Sequence, residues 1–144
     1  MILTDVNVLI HAFRADDARH AEMRRWLDDV VSADSNFGLS RLVLSALVRI
    51  TTQRKFYPNP STLDDAFGFC HDLLEQPNAI VVEPGQRHWQ IFERLCRETD
   101  TIGSRVTDAW FAALAIEHGC EWVTLDRDFA RFPGLKWSVP DADA

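Results

Sequence analysis

The sequence is poor in lysine. Lys55 and Lys136 are the only two, and every other basic residue that is not a histidine is an arginine. The 15 Lys and Arg face 22 Asp and Glu, for a formal charge of -7. Such a balance argues against a partner held by phosphate attraction alone, because that attraction needs Lys or Arg in excess. The exclusion is incomplete. An acidic metal site carries charge that bound cations neutralise, and arginine forks suit phosphates as well as ordinary ion pairs. The acidic balance is also compatible with a basic protein partner.

Cysteine is scarce too. Cys70, Cys96 and Cys120 are scattered with no C-x-x-C pair. An odd, dispersed set reads as reduced thiols in core space, which excludes a disulfide frame or a zinc site. No apolar run approaches the roughly 20 residues that span a bilayer. A basic n-region and apolar h-region are missing from the N-terminus, so the expectation is a cytoplasmic protein with no membrane partner. There is no G-x-x-x-x-G-K, which disfavours nucleoside triphosphate chemistry. No Ser-His-Asp arrangement stands out. Without a repeat, a low-complexity tract or a linker, residues 1–140 read as one domain and 141–144 as a loose tail.

What is present is a core. Hydrophobic residues make up 47% of 144, too many for a disordered chain. Residues 2–5 read as a strand, followed by the short helix VNVLIHAF. A helical pattern runs from Asp17 through DARHAEMRRWLDDVVSA, with Ala21, Trp26, Leu27, Val30 and Val31 on its apolar face. NFGLS reads as a strand and RLVLSALVRITTQRK as an apolar helix, stopped by the Pro loop at 57–60. Ser61 is the expected cap of a helix to about Glu75. AIVVE at 79–83 reads as a buried strand, QRHWQIFERLCRE as a helix and TIGSR as a turn. TDAWFAALAIEHG is a helix closed by Gly119. CEWVTL is a strand, DRDFARF a turn or short helix, and LKWSV a last strand. Strands alternating with helices predict an α/β fold, a three-layer α/β/α sandwich on a parallel central sheet.

Ligands of such sheets sit beyond the carboxyl ends of the strands. Asp5 ends the first strand there. Asp126 and Asp128 follow the strand CEWVTL, and Asp108 lies in the first turn of a late helix. Each has a plain structural role open to it, as a cap, a turn residue or an acid favoured by the helix dipole. Together they are four carboxylates predicted to converge. Like charges so crowded call for a cation. Carboxylates without nearby Cys or His motifs favour hard ions, Mg²⁺ or Mn²⁺. Such an ion can activate water and steady the oxygens of an in-line displacement on phosphorus, so phosphodiester hydrolysis fits.

The residues that carry this chemistry are Asp5-Val6-Asn7-Val8-Leu9-Ile10, Val106-Thr107-Asp108-Ala109 leading into Ala112-Ala113-Leu114-Ala115, and Val123-Thr124-Leu125-Asp126-Arg127-Asp128-Phe129. In this order they resemble the PIN domain. Arg49-Ile50-Thr51-Thr52, Glu83-Pro84-Gly85 with His88-Trp89, and FARFPGLKW narrow the likeness to VapC-type toxins of bacterial type II toxin–antitoxin pairs. The resemblance covers nearly the whole chain. It implies an α/β/α sandwich and a Mg²⁺- or Mn²⁺-dependent ribonuclease acting on RNA. It implies a homodimer or a toxin–antitoxin hetero-oligomer, neutralised by a cognate small VapB-type antitoxin. The family's metal-holding acids fall on Asp5, Asp108 and Asp126, with Asp128 assisting. Asn7, Thr107 and Thr124 match the polar residues that orient those acids. One departure is Ala46, at the position where the family commonly carries a Glu; a methyl cannot bind a metal, so the number of ions is open.

Other residues attract plainer readings. The five histidines are scattered, with His118 expected to serve a helix end. Trp26, Trp89, Trp122 and Trp137 read as core. Trp110, two residues after Asp108, is a candidate for stacking on an RNA base. Arg14, Arg19, Arg24 and Arg25 read as a solvated helix face, with Arg14 a candidate phosphate contact. Two rivals compete with the nuclease. One is a non-catalytic PIN-like module that grips RNA or protein. The other is a phosphatase of the haloacid dehalogenase type, disfavoured because position 7 is Asn where that chemistry wants a second acid.

Overall fold

The computed structural model describes residues 1–141; the last three positions of the expected tail lie outside the described residues. Five strands form one parallel sheet in the order β3-β2-β1-β4-β5. They are β1 (Ile2–Thr4), β2 (Phe37–Leu39), β3 (Ala79–Val81), β4 (Glu121–Val123) and β5 (Trp137–Ser138). The α-helices are α1 (Val6–Phe13), α2 (His20–Ser32), α3 (Arg41–Thr51), α4 (Leu63–Leu74), α5 (His88–Glu98) and α6 (Val106–His118). Short 3-10 turns cover Gly103–Arg105 and Arg127–Arg131.

Parallel crossovers are right-handed. The connections from β1 to β2 to β3 run one way across the sheet, and the connection from β3 to β4 runs back. They therefore lie on opposite faces, with α1–α4 on one and α5 and α6 on the other. Helix packing divides likewise: α1 packs on α2 and α3, α3 on α4, and α5 on α6. The result is the expected three-layer α/β/α sandwich. Strand order reverses between the parallel neighbours β1 and β4, so the switch point of the sheet lies there.

Local chemistry sets the element ends. Asp5 caps α1, its carboxylate accepting from the Val6 amide at 2.7 Å. Ser40 caps α3 and Thr62 caps α4. Ser61, the residue expected at that second cap, instead accepts from Arg14. Helix α6 is apolar around most of its surface, with Phe111, Ala112, Ala113, Leu114 and Ala115 all buried, as a helix pressed into a core requires. It ends on Gly119 at φ +65°, a left-handed conformation that glycine adopts without strain.

Three expectations need correction. The second helix starts at His20 rather than Asp17, and Met23 with Leu27, not Ala21, is buried beneath it. Strand β3 lies at a sheet edge, and its middle residue Ile80 is exposed rather than buried. Trp89 is 67% exposed on α5, whereas Trp122 is fully buried, stacked with Phe111 at 5.3 Å. Among the described residues no helix is long and apolar enough to cross a membrane.

Candidate active site

The chain leaves β1 at Asp5 and β4 at Thr124, on neighbouring strands at the switch point. The Asp5 amide still reaches the Val123 carbonyl at 2.9 Å, which fixes where its side chain starts. Asp5 is only 6% exposed. Its Oδ1 accepts from Val6 N, and its Oδ2 accepts from the Thr124 hydroxyl at 2.7 Å and from Asn7 Nδ2 at 3.2 Å. Thr124 Oγ1, itself buried, also accepts from Asn7 Nδ2 at 3.2 Å and from the Asp126 amide at 3.0 Å. Asn7 Oδ1 accepts from the Leu125 amide at 3.1 Å. A closed polar network thus binds the ends of two strands and aims Asp5.

Among the described residues no Lys or Arg is paired with Asp5. Burial pushes its pKa up from 3.8 to about 6, against the lowering effect of the bonds from Thr124 and Val6. The charges of Asp108 and Asp126 push the same way as burial, so both are felt at Asp5. Burial also raises Asp108, and Arg131 beside it lowers it. Asp126 opens the 3-10 turn, its Oδ1 accepting from the Asp128 amide at 3.0 Å.

The structure therefore joins Asp5, Asn7, Thr124 and the Asp126 amide in one network, with the charge of Asp108 felt at Asp5. It does not bring in the others. Asp128 is exposed and ion-paired with Arg105, and its charge is not among those felt at Asp5. Thr107 is exposed at the head of α6, with no side-chain hydrogen bond to the acids among the described residues. Trp110 is half-buried, edge-on to His88 at 4.6 Å and to Phe111 at 5.5 Å, and so engaged in α5–α6 packing. Arg14 is not part of a solvated face: it is 7% exposed, and a forked pair to Asp16 joins bonds to Asn59 O and Ser61 Oγ. Its guanidinium also lies 4.1 Å from the Tyr57 ring centre. Arg19, Arg24 and Arg25 are exposed, as a solvated face requires.

Two arginines escaped sequence reading, Arg105 and Arg131. Arg131 Nη2 lies 3.5 Å from Asp108 Oδ2, and Arg105 pairs with Asp128. Both partners are 23 residues away in sequence, so no local pattern announces them. The motif Glu83-Pro84-Gly85 also gains a meaning. Glu117 on α6 accepts from the Gly85 and Arg87 amides at 2.7 and 2.9 Å, where α5 begins. His118 Nε2 lies 2.6 Å from the Glu83 carbonyl, tying the end of α6 to the exit of β3.

The donor set fits a hard divalent cation. Three of the roughly four lone-pair positions of the Asp5 carboxylate are used, which leaves one free. Three carboxylates in a half-buried setting offer the oxygen ligands such ions take. Among the described residues no three acids, histidines or cysteines are grouped so as to hold a metal ion, so the carboxylates supply the ligand type and not a formed site. Helix α3 carries no Asp or Glu, so Ala46 has no neighbour there to replace it.

A PIN domain family model matches residues 2–135. The chain belongs to the PIN domain family. Within it, the likeness runs to one group: the chain is 41% identical to Ribonuclease VapC25 of Mycobacterium tuberculosis, covering 97% of this chain and 99% of that one. Ribonuclease VapC31 of the same species is 39% identical over the same shares. Among solved structures, VapBC2 from Rickettsia felis, bound to a DNA fragment from its promoter, aligns with a TM-score of 0.69 at 18% identity. That alignment covers 98% of this chain and all of the other. VapC20 of Mycobacterium tuberculosis, a sarcin–ricin loop cleaving toxin, aligns at 0.64 and 21%, over 94% of this chain and 99% of that one. At these identities the structural likeness speaks for the fold.

Proposed function

We propose that this PIN-family chain is a Mg²⁺- or Mn²⁺-dependent endoribonuclease toxin. It hydrolyses RNA phosphodiesters, and a small VapB-type antitoxin neutralises it. The observation that carries the reading is Asp5: a buried carboxylate with no cationic partner, held by Thr124 and Asn7 beside Asp108 and Asp126. A buried charge left in that state costs stability, and a bound cation removes the cost. The relatives named ribonuclease support the reaction. Complexes such as VapBC2 of Rickettsia felis support the antitoxin.

Each residue then has a task. Asp5, Asp108 and Asp126 would hold the ion, which supplies Lewis-acid activation of the phosphodiester when bound. Thr124 donates to Asp5 Oδ2 and fixes that oxygen's direction. Asn7 donates to the same oxygen and joins it to the chain after β4. Asp126 is set by its own amide, which donates to Thr124. No side-chain nucleophile is needed. Residues 1–140 act as one domain, in the cytoplasm, as a homodimer or with the antitoxin. The absence of a carboxylate on α3 favours the rival, a PIN-like module that binds without cutting.

Purified protein with total cellular RNA decides between them. The nuclease reading expects discrete fragments with Mg²⁺ or Mn²⁺, none with chelator, and none from Asp108→Asn. RNA left intact under both metals would transfer the case to the binding module.

A further inference from the structure

Arg131 is held more firmly than a free surface arginine. Nη1 donates to the Asp128 carbonyl at 2.8 Å, and the guanidinium lies 4.2 Å from the centre of the Phe132 ring. Phe132 is buried, so that platform is fixed. These two contacts leave Nη2 facing Asp108 Oδ2 at 3.5 Å, well beyond the 2.7–2.9 Å of a strong charge-assisted bond. The guanidinium is thus aimed at the acid cluster and only loosely attached to it.

We infer that Arg131 receives the substrate's phosphate, and that Asp108 is its resting partner until a divalent cation takes that carboxylate. The charges favour such a group. Asp5, Asp108 and Asp126 carry three negative charges, and one divalent ion leaves one. An arriving phosphodiester brings another, which a cationic side chain beside the ion offsets. Arg131 is the one basic side chain paired with any of these three acids among the described residues. Its planar fork matches phosphate oxygens, and the Phe132 stack lowers the entropy lost in binding them. Arg105, whose charge is also felt at Asp108, pairs its guanidinium with the exposed Asp128.

This inference rests on the nuclease reading, and its signature is a pair of opposite effects. Arg131 competes with the ion for Asp108 but helps the RNA. Arg131→Gln should bind Mg²⁺ about three- to tenfold more tightly by calorimetry, since a nearby positive charge is gone. The same variant should cleave total RNA about 10- to 100-fold more slowly, the worth of a lost bond to a charged group. Binding of a single-stranded RNA pool, with Ca²⁺ in place of Mg²⁺, should lose about one unit of salt slope. Arg131→Lys keeps the charge and should recover part of the rate. Wild-type cleavage by Arg131→Gln would overturn the assignment, as would a loss of Mg²⁺ affinity in step with cleavage. If the wild type cuts nothing, the nuclease reading fails alone. Tighter Mg²⁺ binding and weaker RNA binding by Arg131→Gln would still uphold the phosphate role.

Discussion

Two buried charges stand at the two ends of α1, and they are treated differently. Arg14, just past its C-terminus, is saturated by Asp16, two oxygens of the loop at 59 and 61, and the face of Tyr57. Asp5, at its N-terminus, accepts bonds from neutral groups only and is crowded by two further acids. One charge is spent on architecture, clamping the loop before α4 against α1. The other is oriented but not neutralised. A charge kept from water without a counter-ion is a mark of a site, because capping α1 needs the oxygen and not the charge.

The comparison breaks most visibly at Asp5. Asp5→Asn should fold and lose RNA cleavage by about 10²- to 10⁴-fold, since several kcal/mol of cation-borne stabilisation depend on that ligand. Initial rates on total RNA with Mg²⁺ check it. Arg14→Ala should do the reverse. It should destabilise the protein by roughly 3 kcal/mol in urea unfolding, as loss of a buried, hydrogen-bonded guanidinium does. Cleavage per folded molecule should stay within about twofold, because Arg14 faces the loop and not the acids.

Acidity sharpens the contrast. The folded pKa of Asp5, about 6, lies above the ordinary 3.8, so folding favours the protonated acid. That contribution is complete below about pH 3.8 and is lost as pH rises through about 6, roughly 3 kcal/mol in all. Burial raises Asp108 too, which adds in the same direction. In chelator, urea midpoints should therefore fall between pH 4 and 6.5, and Asp5→Asn should flatten the curve. The smallest effect belongs to the supporting network. Thr124→Val removes the hydroxyl that links Asp5 to the Asp126 amide. It should lower Mg²⁺ affinity about 10- to 100-fold with the fold intact, as loss of a ligand's orienting partner does. Calorimetric titration reads it.

Much of this was legible in the sequence where the cause is local. Helix α1 begins at Val6 because Asp5 caps it, and α6 ends where Gly119 turns left-handed. The acids at strand ends followed from sheet topology alone. Strands β1 and β4 end at Thr4 and Val123, one residue before Asp5 and Thr124, whose amides still bond to the neighbouring strands while their side chains turn to each other. The reading also failed where partners are remote. Arg14 looked like one of several surface arginines, since its acceptors Asn59 and Ser61 lie 45 and 47 positions away. Asp128 reads in sequence as an assistant to Asp126, and only the fold places Arg105 against it. Trp89 looked like core by composition, yet it stands on the outer side of α5.

Thermal melting of wild type and Asp5→Asn at pH 7.5, in chelator and in Mg²⁺, tests most directly that Asp5 is a charge awaiting a cation. The account predicts that the variant melts roughly 3–6 °C higher in chelator, for a gain of about 1–2 kcal/mol. Mg²⁺ should raise the wild type and leave the variant unmoved. A variant that melts lower in chelator, with a Mg²⁺ shift equal to that of the wild type, would contradict it.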